Sequence, residues 1–124
     1  MELIQTDRAP HPFGHYSQAV KANGMVFVSG ILGVRHDDHE IVVRDLAAQT
    51  EIVLANLKAV LEAAGSALDQ VVKVTIYAES VSNWDKVNEI YRSYFGEHRP
   101  ARVFVPTGKL HHGFQIEIDA VAMA

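Results

Sequence analysis

The chain contains no cysteine. That excludes a disulfide framework, a thiol nucleophile and Cys-ligated zinc. A basic block is missing too: 11 Lys and Arg stand against 15 Asp and Glu, a formal net charge of −4. Nucleic-acid binding driven by phosphate neutralisation is therefore not expected, although a local patch is not excluded. No apolar run approaches the roughly 18 residues that span a bilayer. The opening Met1-Glu2-Leu3-Ile4 lacks the charged segment and apolar core of a signal peptide. No membrane partner is expected, and a soluble cytoplasmic protein is. Repeats, low-complexity tracts and linker-like stretches are absent, so residues 1–124 read as one domain. What is there is a 48% apolar share, enough for a packed core.

Periodicity and turn signals divide the chain. Glu2 to Thr6 is a possible short strand, followed by a turn-rich stretch from Ala9 to Gly14. Tyr16 to Ala22 and Met25 to Ser29 flank Asn23-Gly24, a strong two-residue hairpin signal. The returning strand, ending at Gly30, puts Val26 and Val28 on one face and Met25, Phe27 and Ser29 on the other. Arg35 to Glu40 is a polar loop, and Ile41 to Val43 reads as a short strand. From Asp45 to Ala64, Leu46, Val53, Leu54, Leu57, Val60 and Leu61 recur at helical spacing, with Gln49, Asn56, Lys58 and Glu62 mainly opposite. Gly65 suits the C′ position.

Asp69 to Ala78 is β-branched, with Val72, Val74 and Ile76 assigned to one face and Lys73, Thr75 and Tyr77 to the other. Ser82 to Asp85 resembles a capping box ahead of a second helix that runs to Phe95 and stops at Gly96. The order β-β-(β)-α-β-α-β-β predicts an α+β two-layer sandwich, a mixed sheet with two helices on one face.

The last quarter, Arg99 to Ala124, carries the chemistry. Two alternating apolar runs flank a Pro/Gly/His loop, with Arg102 in the first and Glu117 and Asp119 in the second. In the last strand Phe114, Ile116, Ile118, Ala120 and Ala122 can face the helices. Glu117, Asp119, Val121 and Met123 then form a mixed outer face, and Arg102 with Phe104 reads as repeating that mixture on its own strand. Charges scattered among apolar groups on a bare sheet face suggest subunit association, with pockets at the seams.

Arg102 offers a planar fork that fits a carboxylate bidentately, so it is the candidate anchor for an acidic small molecule. An ion pair with Glu117 or Asp119 across the sheet accounts for it equally well. Glu117 suits a general base or a water-positioning group if partial burial tunes its pKa, and a solvated strand carboxylate is the plainer alternative. Asp119 reads as structural.

The chain has seven histidines. His36 and His39 around Asp37-Asp38, and the adjacent His111 and His112, lack the disciplined spacing of a metal site. No metal is expected; His111 or His112 instead suits a pocket mouth. Tyr16 and Ser29 are hydroxyls at strand ends, and Ser29 has no evident His/Asp partner for a nucleophile's role.

Six segments together resemble the Rid/YjgF (endoribonuclease L-PSP) family of enamine/imine deaminases. They are Gly14–Val20 (GHYSQAV), Val26–Gly30 (VFVSG), Val71–Tyr77 (VVKVTIY), Val87–Tyr91 (VNEIY), Arg99–Arg102 (RPAR) and Gln115–Ala122 (QIEIDAVA). They occur in family order and cover nearly the whole chain. The resemblance implies a chorismate-mutase-like fold and a homotrimer whose three sheets form a central barrel, with clefts between subunits. It also implies a hydrolase of the 2-iminobutanoate/2-iminopropanoate deaminase type, which converts 2-aminoacrylate-type enamines or their imines to 2-keto acids and ammonia without metal or organic cofactor.

By the same resemblance Arg102 binds the substrate carboxylate and Glu117 holds or activates water. Tyr16, Ser29, Gly30, Asn88 and backbone near Phe104 complete the pocket. The chain departs from the family at Ile31, at His15 between Gly14 and Tyr16, at Phe104 and across the loop from Pro106 to Gly113. A larger enamine such as 2-aminomuconate, or a non-catalytic acid-binding or chaperone-like role, is the alternative those departures leave open.

Overall fold

Asn23 and Gly24 turn the chain as the sequence predicts, both in the left-handed region with φ of 52° and 72°. Two successive positive φ values suit a hairpin whose twist matches its strands. The computed structural model describes residues 1–124. The hairpin joins β2 (Ala19–Ala22) to β3 (Met25–Leu32), and β1 (Glu2–Ile4) adds outside β2. Three further strands, β4 (Val71–Ala78), β5 (Ala101–Pro106) and β6 (Ile116–Met123), complete one six-stranded sheet in the order β1-β2-β3-β6-β4-β5. All pairings are antiparallel except β4 with β5. That parallel pair is joined through a helix, as a parallel crossover requires.

The two helices are α1 (Leu46–Ala63) and α2 (Trp84–Phe95). Asp45 caps α1, its carboxylate accepting from the Ala48 amide at 2.8 Å; removing such a cap typically costs about 1 kcal/mol. At the other end Ser66 and Gly65 donate to the Leu61 and Glu62 carbonyls, a Schellman closure with Gly65 at φ 78°. Val53, Leu54, Leu57, Val60 and Leu61 are buried against Val26, Val28, Val74, Ile76, Ile118, Ala120 and Ala122 of the sheet. Both helices therefore cover one sheet face. The other face is left with Phe27, Val103 and Met123 exposed at 48%, 43% and 48%.

Several expectations are corrected. Ile41 to Val43 forms no strand and is exposed, because no sheet edge is offered to it. Tyr16, Ser17 and Gln18 precede β2 rather than belonging to it. Val72 is exposed where β4 bulges opposite β6, and Val71 takes the buried place assigned to it. Gln49 and Asn56 are buried, not opposite the apolar stripe. Gln49 donates to the Arg44 carbonyl and accepts from the Gln115 amide at 2.8 Å; Asn56 donates to the Val34 carbonyl at 2.8 Å. Each satisfies loop backbone that would otherwise be buried without partners. The serine that caps the entry to α2 is Ser80, which accepts from Ser82, while Asn83 makes no side-chain cap. Arg102 and Phe104 face the helix layer, since they pair in register with buried Val74 and Ile76.

Candidate functional site

β3 does not stop at Gly30 but passes through it. Val28 pairs with Ala120 and Ile31 with Ile118, so Ser29 and Gly30 together oppose the single residue Asp119. This is a β-bulge, a device that re-aims side chains beside a site. The Ser29 hydroxyl donates to the Ser17 carbonyl at 2.6 Å, and the Ser29 amide donates to the Gln18 carbonyl at 3.0 Å. The serine thus ties the bulge to the preceding loop. In that loop the Tyr16 hydroxyl accepts from the Phe13 amide at 3.2 Å. Buried Gln18 holds the same loop by accepting from the Thr6 amide at 2.7 Å and donating to the Pro10 carbonyl at 2.8 Å.

Against the bulge lies Glu117. A Cβ on Gly30 would overlap its carboxylate, standing 3.2 Å from the carboxyl carbon. Glycine here leaves the space that the Glu117 carboxylate occupies; its φ is not the reason. Glu117, Tyr16, Ser29, Gly30 and His111 line a cleft of about 450 Å³ on the uncovered side of the sheet. Burial pushes the Glu117 pKa up, Asp119 two residues along β6 pushes it further, and His111 opposes both. Asp119 itself accepts from the Tyr77 hydroxyl at 3.0 Å, which raises the tyrosine's pKa. His111 stacks on His112 with ring centroids 4.0 Å apart. His112 does not line this cleft; it stands edge-on to Phe13 at 6.1 Å and braces that wall.

Arg102 lies elsewhere, on the outer strand β5. Its guanidinium carbon sits 5.1 Å from the Trp84 ring centroid and 4.8 Å from that of Tyr91. Cation–π contact with two rings holds the fork without using its hydrogen-bond donors. Phe104 packs edge-on against Trp84 at 5.0 Å, so it supports the seat instead of lining the opening. Asn88, Tyr91 and Arg102 line a cleft of about 380 Å³. Desolvation pushes the Tyr91 hydroxyl up to about 12. No carboxylate lies within 4 Å of Arg102, so the cross-sheet ion pair with Glu117 or Asp119 does not form.

The sequence profile of the Endoribonuclease L-PSP family matches residues 6–124. A RutC family protein of Pyrococcus horikoshii is 46% identical over 98% of this chain and 96% of its own. Reactive Intermediate Deaminase A, chloroplastic, of Arabidopsis thaliana is 40% identical over 98% of this chain and 65% of its own. Among solved structures, TdcF of E. coli with bound serine superposes with a TM-score of 0.94 at 33% identity, covering 100% of this chain and 99% of that one. The chain belongs to the Rid/YjgF/L-PSP family.

In this Rid-family chain the expected site residues fall into two groups. Tyr16, Ser29, Gly30, His111 and Glu117 share one cleft, and Asn88 and Arg102 share another. Glu117 pairs with Tyr77 on the uncovered face, whereas Arg102 pairs with Val74 on the helix face. β6 and β5 are separated by β4, and Arg102 stands three residues from Val105, the register partner of Tyr77. Strand spacing and rise make that about 10 Å across the sheet and about 10 Å along it. One small acid cannot touch both groups within one chain.

The remaining histidine candidates do not gather. Asp37 and Asp38 are taken by Arg35 at 2.8 Å and Arg44 at 2.9 Å, which lowers both carboxyl pKa values. No three His, Asp or Glu side chains converge. Sequence reasoning missed Trp84 and Tyr91 as the seat of Arg102. Their seven-residue separation, two helical turns on one face, is the signal that marks them.

Proposed function

We propose that this chain is an enamine/imine deaminase that works as a homotrimer, hydrolysing 2-imino acids and their enamine tautomers to 2-keto acids and ammonia. One observation carries the reading. A single chain holds two incomplete half-sites facing opposite ways, one with an unpaired arginine and one with a carboxylate of raised pKa. Apolar side chains stay exposed on the sheet face between them. Packing three such faces together would cover Phe27, Val103 and Met123 and bring Arg102 of one subunit to the Glu117 cleft of the next. The serine held by the E. coli relative is a small amino acid, whose carboxylate is the kind of group a guanidinium fork receives.

The chemistry uses both halves. Arg102 fixes the substrate carboxylate beside the imine carbon. Glu117 accepts a proton from water as the oxygen attacks that carbon and passes it to the imine nitrogen, giving a carbinolamine. The carboxylate then takes the hydroxyl proton and delivers it to the amine, so the C–N bond breaks, the C=O bond forms and ammonia leaves. A raised pKa suits a group that must take and give a proton near neutrality. Substrate presented as an enamine first gains a proton at its terminal carbon. The −4 charge gives no general support to a ribonuclease reading.

Mixing two inactive variants is the decisive test. Arg102→Ala and Glu117→Ala proteins are unfolded together and refolded at equal amounts, then supplied with 2-iminopropanoate. If each site draws one residue from each of two subunits, about one site in four regains both groups by random assembly. Recovery of about a quarter of parental activity is expected. No recovery in a verified mixed trimer would refute the shared site.

A further inference from the structure

The chain has six arginines, and they divide evenly. Arg8 pairs with Glu62 at 3.8 Å, Arg35 with Asp37 at 2.8 Å and Arg44 with Asp38 at 2.9 Å. The other three, Arg92, Arg99 and Arg102, all line the same cleft of about 380 Å³. None of them has a carboxylate within 4 Å, and none donates a side-chain hydrogen bond within the chain. They come from three places: the last turn of α2, the turn after it, and β5. Glu97 is the one carboxylate lining the cleft, and it pairs with none of them.

A second feature points to a ligand there. Tyr91 is only 8% exposed and its hydroxyl has no hydrogen-bond partner, yet it lines this cleft. A buried hydroxyl left unpartnered calls for an external acceptor. His98 lines the same cleft but is not that acceptor: its Nε2 meets the Val71 carbonyl at 2.7 Å, and the Tyr91 hydroxyl has no hydrogen-bond partner in the chain. With a carbonyl as partner, that nitrogen must be the donor.

Three unpaired guanidiniums exceed what one carboxylate needs. A single bidentate fork satisfies it, and Arg102 supplies that fork. Concentrating the three unpaired arginines of an acidic chain in one opening leaves two positive charges for a second anionic group. We infer that the preferred substrates are dicarboxylic: imines of acidic amino acids, with the 2-carboxylate on Arg102 and the distal carboxylate met by Arg92 and Arg99. Tyr91 is the further donor within reach of the bound acid. The reaction remains water addition at the imine carbon and loss of ammonia, with the distal group unchanged. This rests on the deaminase reading of the same site.

The test separates the two. 2-Iminosuccinate, made in place from aspartate by an oxidase, is compared with 2-iminopropanoate made from alanine. The expected result is a kcat/KM preference of at least about tenfold for the dicarboxylic imine, since each charge-assisted contact adds to binding. Arg92→Gln/Arg99→Gln should lower that preference about tenfold. Both residues are exposed and make no ion pair or side-chain hydrogen bond within the chain, so the variant should fold. In parallel, calorimetry compares succinate with propanoate as ligands of the parent and of the variant.

If neither imine is hydrolysed but succinate binds more tightly through Arg92 and Arg99, the deaminase reading fails and the dicarboxylate site stands. If 2-iminopropanoate is hydrolysed and the preference is absent or unmoved by the double variant, the inference fails and the deaminase reading stands. A double variant that loses its trimer would make the two arginines assembly contacts and also overturn the inference. So would an RNA oligonucleotide that displaces succinate at far lower concentration.

Discussion

The two half-sites are built by different means. The Glu117 cleft is made of backbone: a bulge at Ser29 and Gly30, a glycine that leaves room for a carboxylate, and loops tied by Gln18, Tyr16 and Ser29 through hydrogen bonds. The Arg102 cleft is made of side chains: a guanidinium held by Trp84 and Tyr91, with Phe104 behind Trp84. Proton transfer, the role proposed for Glu117, tolerates little displacement, and the bulge it lies against is fixed by backbone. Anion capture, the role proposed for Arg102, needs reach and charge, and this arginine rests on aromatic faces that leave its donors free. On the proposed deaminase reading, the contrast puts the reaction and its selectivity in separately built regions, one changeable without the other.

The largest effect should follow from emptying the aromatic seat. Arg102→Ala removes the fork proposed to meet the 2-carboxylate, and truncating such a charge contact typically costs about 2–5 kcal/mol. A fall in kcat/KM of about 10²–10³-fold is expected, with circular dichroism unchanged. Arg102→Lys keeps the charge but loses the planar fork, and should recover less than about a tenth of the parental rate. An Arg102→Ala protein as fast as the parent would end the anchor's role.

The bulge gives a smaller effect. Gly30→Ala places a methyl group where the Glu117 carboxylate now lies, so the carboxylate must move. A positional error near the reacting atoms can cost about 10²-fold. A drop of about 10–100-fold in kcat with succinate affinity nearly unchanged is expected, because the Arg102 cleft is untouched. Equal losses in both would show that the two regions are not independent.

How far the sequence carries depends on which region is read. The layers, the hairpin at Asn23-Gly24, both helix ends at Gly65 and Gly96, and the buried alternation of β6 follow from local signals, since each is set by turn chemistry or period. The face taken by Arg102 does not. Its strand alternates as expected, but parallel pairing to β4 sets which set is buried, and pairing is a long-range choice. The same holds for Gln49 and Asn56: their polarity points outward, and only the loops they serve explain their burial. In the sequence the bulge at Gly30 reads as a strand end, because a glycine after a serine is also a stop signal. Arg102 and Glu117 as candidates were legible from residue type; their separation onto opposite faces required the sheet.

The smallest effect is on stability and isolates the Glu117 environment. Its pKa is raised in the folded chain, mainly by burial. Between the unfolded value and that higher one, the folded chain binds a proton the unfolded chain has released. Stability must therefore fall as pH rises through this window and remain lower above it. Glu117→Gln carries no titrating group, so it escapes the penalty. Its Tm should exceed the parent's at pH 7 by on the order of 2–4 °C, and the gain should vanish at a pH below the unfolded carboxylate range. The matching control is Asp38→Asn. Arg44 lowers that pKa, so the stability it adds is present above the unfolded value and lost on acidification. Asp38→Asn should thus lower Tm at pH 7 and change little in acid. Opposite signs at the two carboxylates would confirm that Glu117 is held against its charge, as its proposed proton-transfer role requires; a Tm gain for Glu117→Gln that persists unchanged in acid would place its cause in packing instead.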